Sequence, residues 1–168
     1  MGNLPRGFAA STQRRSMSGF QVLTQRDQPK LEALFLGFDF DERRKYFGAG
    51  VSDASIRDYC RSICWRETTI IARSASSVLE AVAILTAPIG ARIAELAIAR
   101  AADAEDASVV ADLLELSLSV ASLSYPQLIV HREHASEELL AALQRLAVVW
   151  ADDVVRIDVP CAAKIVTC

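Results

Sequence analysis

Apolar residues along the chain recur with two different spacings, and each spacing predicts a different type of element. Spacings of three and four residues predict amphipathic helices, whereas short β-branched and apolar runs between turn-forming residues predict strands. The predicted helices cover residues 29–38, 39–48, 52–65, 109–120 and 136–149. The predicted strands cover residues 20–25, 68–73, 78–87, 92–100, 124–133 and 154–160. Residues 161–168 fit either an edge strand or a frayed end.

Residues at the starts of four predicted helices support these boundaries. Pro29 suits a first helical turn, because its fixed φ is helical and its missing N–H is not needed there. Asp39 and Glu42 have the spacing of a reciprocal capping pair. Ser52 and Ser136 each precede a helix at the position where a side-chain oxygen accepts a backbone N–H.

Composition predicts one globular domain over residues 20–168, preceded by a flexible leader at residues 1–19. The 168 residues are 52% hydrophobic and 23% charged, which is typical of a chain that buries a core. The net charge is −3, but it is uneven. Residues 1–66 hold 11 Lys/Arg and 7 Asp/Glu, whereas residues 67–168 hold 7 and 14. This balance argues against nucleic acid and anionic membranes as partners.

The chain has neither an apolar run long enough for a membrane span nor the apolar core of a signal peptide, so we expect a cytoplasmic protein. Cys60 and Cys64 lie on the apolar stripe of one predicted helix and are interpreted as buried, reduced thiols. His131 and His134 have a weak metal-ligand spacing, and a surface or capping role is preferred; no metal is predicted. The basic run at residues 43–45 is interpreted as a solvated helix face.

The stretch from residue 92 to residue 121 combines a strand, an acidic turn and a long helix. Such units often bind phosphates, because the helix start offers unpaired N–H groups and the positive end of its dipole. Here the turn carries Asp103, Glu105 and Asp106 where a phosphate site favours glycine. We therefore expect Asp103, Asp106 or Ser108 to cap the helix rather than a phosphate to bind there.

Two stretches of sequence resemble the GNAT superfamily of acyl-CoA N-acyltransferases. Residues 31–60 are similar to the N-terminal helix pair of many bacterial members, and residues 94–115 are similar to the strand and helix that bind acyl-CoA. With residues 142–146, the resemblance extends over about residues 20–160. It implies an α+β fold with a mixed, mostly antiparallel central sheet flanked by helices, acetyl-CoA as cofactor and an amine as acceptor.

The resemblance also assigns cofactor-binding positions. The family motif is Gln/Arg, two residues, Gly, one residue and Gly/Ala, and its backbone N–H groups bind the pyrophosphate of CoA. In this chain the motif falls on Glu105, Ser108 and Val110, and all three depart from it. Ile98 and Arg100 lie on the strand that precedes the motif. The anionic side chain and the two added Cβ atoms predict weakened or lost acetyl-CoA binding.

The family's catalytic residues have few counterparts. The resemblance implies Glu95 as the base, and Tyr125 is the weak substitute for a proton-donating tyrosine, since residues 136–149 contain none. We expect a divergent GNAT-like protein that binds a small ligand or a protein partner. The alternatives are an active acetyl-CoA-dependent N-acetyltransferase on an unknown amine and a structural subunit of an assembly. A homodimer is possible in each case.

Overall fold

The computed structural model describes residues 19–104, 106 and 108–160, and within these residues seven strands form one sheet. The strands are β1 Phe20–Val22, β2 Thr68–Ala75, β3 Val78–Thr86, β4 Ile93–Arg100, β5 Gln127–His131, β6 Val148–Trp150 and β7 Val154–Asp158. Their spatial order is β1-β2-β3-β4-β5-β7-β6, and every neighbouring pair is antiparallel except β4 and β5. The predicted mixed, mostly antiparallel sheet is confirmed.

Helices cover both faces of this sheet, because its central strands are apolar on both sides. The α-helices are α1 Gln28–Leu36, α2 Phe40–Phe47, α3 Asp53–Ser62, α4 Val109–Ala121 and α5 Glu137–Leu143. In β3, Ala83 and Leu85 pack with α4 and α5, whereas Val82 and Ile84 pack with α1 and α3. This alternation follows from the two-residue period of a strand.

The predicted helix caps are confirmed. Asp39 Oδ1 accepts the Glu42 N–H at 2.9 Å, and Glu42 Oε2 accepts the Asp39 N–H at 2.8 Å. Ser52 Oγ accepts the Ser55 N–H, and Ser136 Oγ accepts the Leu139 N–H. Each contact satisfies a backbone donor that the first helical turn leaves unpaired.

Three local predictions are wrong. The last helix ends at Leu143 instead of Val149, because Val148–Trp150 pairs with β7 as an edge strand. The first strand ends at Val22, since the chain enters a 3-10 turn at Gln25–Asp27. Cys60 is buried as expected, but Cys64 is exposed, because α3 ends at Ser62 and Cys64 leaves the apolar stripe.

Arg43 corrects the interpretation of residues 43–45 as a solvated face. Its side chain is 17% exposed, and it donates to three backbone carbonyls, Leu36 O at 2.9 Å, Phe38 O at 2.9 Å and Val51 O at 3.2 Å. The neighbouring Arg44 and Lys45 are exposed. Arg43 therefore connects the end of α1 with the loop before α3.

Some predictions fall outside the described residues. These are the leader up to residue 18, the end of the chain with Cys161 and Cys168, and the motif position Glu105. Among the helices that the structure describes, none has both the length and the apolar composition needed to cross a membrane.

Candidate functional site

The parallel strands β4 and β5 pair over only part of their length, and they separate to form a cleft. Their register joins residues 93–95 to residues 127–129, and it ends at the pair Glu95 and Ile129. Beyond Glu95, β4 continues to Arg100 and remains fully paired with β3. The β4 edge that faces the cleft is therefore open to hydrogen bonds with an extended ligand.

Two cavities occupy this cleft. The inner cavity has a volume of about 330 Å³ and lies beside the separated strands, and α2 and α3 contribute aromatic walls. The outer cavity has a volume of about 300 Å³ and lies between the end of β4 and the first turns of α4 and α5. Ile98, an implied cofactor-binding residue, lines both cavities and is 5% exposed.

Glu95 and His131 lie together at the point where the strands separate. Glu95 pairs with Ile129, and His131 follows Ile129 by two residues, so strand periodicity places both side chains on one face. Glu95 Oε1 is 3.7 Å from His131 Nε2, and their side chains are 53% and 37% exposed. A carboxylate beside an imidazole in an accessible cavity is an arrangement suited to proton transfer.

Tyr46 and Tyr59 line the same inner cavity, and the sequence analysis did not assign them to a site. Burial raises the pKa of Tyr46 well above its ordinary value of 10.0, and Tyr59 and Glu95 act in the same direction. Burial also raises the pKa of Tyr59. Both phenols therefore remain protonated at neutral pH, and their side chains are hydrogen-bonded to each other.

An aromatic cluster fixes these tyrosines. Phe35 is fully buried, and its ring centroid lies 5.0 Å from Tyr46 and 5.9 Å from Tyr59. The Phe47 ring lies between the two tyrosines, at 4.9 Å and 5.3 Å. The available signals were Tyr59 on the apolar stripe of α3 and Tyr46 directly after the basic run of α2, and neither pattern indicates a site.

Tyr125 lies elsewhere. It precedes β5 by two residues and lines neither the inner nor the outer cavity. Its backbone N–H donates to Ala121 O at 2.7 Å, and its ring packs on the hydrophobic core beside α4. The structure thus brings Glu95 together with Tyr46 and Tyr59 instead of Tyr125.

The turn just before α4 is closed by hydrogen bonds from within the chain. Asp106 Oδ1 accepts the Ser108 N–H at 2.9 Å and lies 2.8 Å from Ser108 Oγ. Ser108 Oγ also lies 3.2 Å from Asp112 Oδ2, so its single hydroxyl proton is shared between two carboxylates. Of the three capping candidates, Ser108 holds the N-cap position but makes no side-chain bond to a helical N–H, and Asp106 accepts the N–H of Ser108, one residue before the helix.

Val110 and Arg100 both line the outer cavity, but they differ in exposure and in their contacts. Val110 is 2% exposed, and its branched side chain lines the cavity at the start of α4. Arg100 is 24% exposed, and its Nη2 lies 2.9 Å from Glu138 Oε1 on α5. The ion pair crosses the outer cavity from the β4 side to the α5 side.

His134 has a structural role. It lies on the 3-10 turn Arg132–His134, and its Nδ1 is 3.1 Å from Lys45 O on α2. Its ring centroid is 6.4 Å from that of His131. In the part of the chain that the structure describes, no three His, Cys, Asp or Glu side chains are placed to bind a metal ion.

Comparisons with known proteins establish the fold. Neither a family model nor a curated protein sequence matches the chain. The GNAT domain of S. lividans PAT superposes with a TM-score of 0.64 at 15% identity, covering 83% of this chain and 89% of that chain. The ribosomal-protein-S18-alanine N-acetyltransferase of Escherichia coli gives 0.63 at 12% identity, covering 88% and 97%.

A third similar structure contains the cofactor. It is the GNAT superfamily phosphinothricin acetyltransferase of Sinorhizobium meliloti in complex with AcCoA, with a TM-score of 0.62 at 10% identity over 84% of this chain and 88% of that chain. At such identities the similarity establishes the fold alone. The chain has the GNAT acetyltransferase fold, as the resemblance predicted.

Proposed function

We propose that this chain is a divergent GNAT-fold protein that binds a small ligand in the inner cavity and has weakened or lost acetyl-CoA binding. The observation that carries the proposal is the turn just before α4, where Asp106 accepts the Ser108 N–H at 2.9 Å and brings a carboxylate to the helix start. A pyrophosphate at this helix start would need such N–H groups. The residues present therefore do not fit the phosphates of CoA.

Charge supports the same proposal. A phosphate approaching the turn would meet Asp103 and Asp106 before the helix and Asp112 in its first turn. Two like charges about 4 Å apart repel by about 1 kcal/mol in water and by several in a shielded cleft. A helix dipole contributes only about 0.3–1 kcal/mol of attraction per charge. Repulsion from the turn is thus the larger effect.

The inner cavity supports the ligand-binding part of the proposal. Its aromatic walls offer apolar contact, the hydrogen-bonded phenols of Tyr46 and Tyr59 offer polar groups, and Glu95 offers a negative charge. A small amine or another polar molecule with a cationic group matches these features.

Isothermal titration calorimetry with acetyl-CoA tests the proposal. We expect no micromolar binding by the wild-type protein, and micromolar binding would overturn the proposal. Asp106→Ala frees the Ser108 N–H and removes one charge, so its affinity should rise. Asp103→Ala removes one charge from the same exposed turn without freeing that N–H and is the matched control. If the two variants bind acetyl-CoA with equal affinity, the hydrogen bond from the Ser108 N–H to Asp106 is not the cause of weak binding.

A second variant tests the motif positions. The triple change Glu105→Gln, Ser108→Gly and Val110→Gly restores residue types of the family motif. We expect it to gain measurable acetyl-CoA affinity. If it gains none, the departures at these positions do not explain weak binding.

Active N-acyl transfer is the second candidate function, and the contact between Glu95 and His131 favours it. In that reaction the amine nitrogen would attack the thioester carbonyl, Glu95 would accept the amine proton directly or through His131, and the C–S bond would break to release the CoA thiolate, which takes up a proton from solvent. Incubation with acetyl-CoA and a panel of spermidine, lysine and an alanine-terminated peptide, followed by mass spectrometry, tests this candidate. Acetylated product that disappears in Glu95→Gln would support the enzyme over the binding protein.

A further inference from the structure

The ion pair between Arg100 and Glu138 crosses the outer cavity at the end of the cleft. Its N–O distance of 2.9 Å is that of a charge-assisted hydrogen bond. Arg100 is largely buried at 24% exposure, whereas Glu138 is 45% exposed. The guanidinium is therefore fixed in the cavity wall, and the carboxylate is the more accessible partner.

The surroundings make Arg100 important for any anion in the outer cavity. The charged and titratable residues that line this cavity are Glu42, Lys45, Tyr46, Arg100, His134, Glu137 and Glu138. Lys45 is exposed on α2, so Arg100 is the fixed cation at the β4 side. A guanidinium is well suited to bind phosphate oxygens, because it presents several N–H donors in one plane.

We infer that Glu138 is an internal competitor for Arg100, and that it discriminates against phosphate-bearing ligands in this cleft. Its carboxylate is already paired with the Arg100 guanidinium, which is the group that a pyrophosphate entering the outer cavity would bind. An anion must displace Glu138 or approach a cation that is already neutralised. This inference rests on the proposed function and adds a second determinant, on α5, to the Asp106 contact before α4.

Three variants test the inference by titration with acetyl-CoA, followed by saturation-transfer NMR of the adenine protons. Glu138→Gln keeps the side-chain shape and removes the charge, so it should bind about threefold to tenfold tighter than wild type. Glu137→Gln removes one charge from the same helix and cavity, and it controls for net charge. Circular dichroism confirms that each variant is folded.

The double variant Arg100→Gln with Glu138→Gln identifies the cation. We expect the double variant to lose the increase in acetyl-CoA affinity that Glu138→Gln shows, because no guanidinium remains to bind the phosphates. The gain in Glu138→Gln should also shrink between about 0.1 M and 1 M salt, as the Debye length falls from about 10 Å to 3 Å. These results together would support internal competition.

Two results would overturn the inference. One is that Glu138→Gln binds acetyl-CoA no more tightly than Glu137→Gln does. Undetectable binding in both variants counts as this result. The other is a gain that persists in the double variant. Micromolar binding by the wild type would overturn the proposed function instead, and the ratio between Glu138→Gln and Glu137→Gln would still decide the role of Glu138.

Discussion

Arg43 is the residue whose removal should best reveal how the helical layer beside the cleft is held. Its guanidinium donates to Leu36 O and Phe38 O near the end of α1 and to Val51 O before α3. It also lies 2.8 Å from Asp53 Oδ1. Replacement by Met keeps much of the apolar side chain and removes all of these donors.

The expected loss of stability in Arg43→Met follows from the three hydrogen bonds that Arg43 donates to backbone carbonyls. A net contribution of about 1 kcal/mol for each of the three carbonyl contacts gives about 3 kcal/mol. The Asp53 side chain is 56% exposed, so its ion pair adds little. For a chain of this size, 3 kcal/mol lowers the melting temperature by about 6–12 °C.

Thermal and urea denaturation, followed by circular dichroism, measure the loss in Arg43→Met. The control is Arg44→Met, which removes the same charge from an exposed neighbour and should change stability by at most about 0.5 kcal/mol. A loss below about 1 kcal/mol in Arg43→Met, or an equal loss in both variants, would refute the structural role given to Arg43.

Further predictions concern packing, turn geometry and pH. Phe35→Ala removes the centre of the aromatic cluster and should cost about 3–5 kcal/mol in urea denaturation, and a cost near 1 kcal/mol would contradict the packing described. Ser77 has a φ of 71° in the β2–β3 turn, so Ser77→Gly should raise the melting temperature, and a decrease would argue against that turn. Burial raises the pKa of Cys60 from 9.0 to about 11, so this thiol stabilises the fold below pH 9 and loses that contribution as pH rises toward 11. Urea denaturation at several pH values should show stability falling over this range, less steeply in Cys60→Ala, and an equal slope in both proteins would contradict the assignment. In the folded protein, iodoacetamide at pH 8 should label Cys64 before Cys60, and the reverse order would contradict the burial of Cys60.

Local signals in the sequence were sufficient for most of the elements. The capping pair of Asp39 and Glu42 acts over three residues, so the start of α2 is decided by neighbours in sequence. The same holds for Ser52 and Ser136 at α3 and α5. Local signals failed where a distant partner intervened, as at Val148–Trp150, where pairing with β7 replaces the end of a predicted helix.

The candidate site was predictable only in part. Glu95, Ile98 and Arg100 lie on one strand, and their connection with the cleft followed from the resemblance. The sequence offered no means of placing Tyr46 and Tyr59 beside Glu95, because α2, α3 and β4 are far apart in sequence and meet only through packing around Phe35.

By itself, the sequence determined most element types, the caps of α2, α3 and α5 and the acidic turn before α4, since each depends on periodicity or on residues a few positions apart, whereas the mixed sheet was implied by the resemblance. The tertiary structure alone decided where β4 and β5 separate, because that point is set by a register between distant strands. It also decided that Asp106 accepts the Ser108 N–H before α4, that Arg43 is turned inward, and that Arg100 meets Glu138 across the cavity. These are contacts between groups whose positions the fold must first fix.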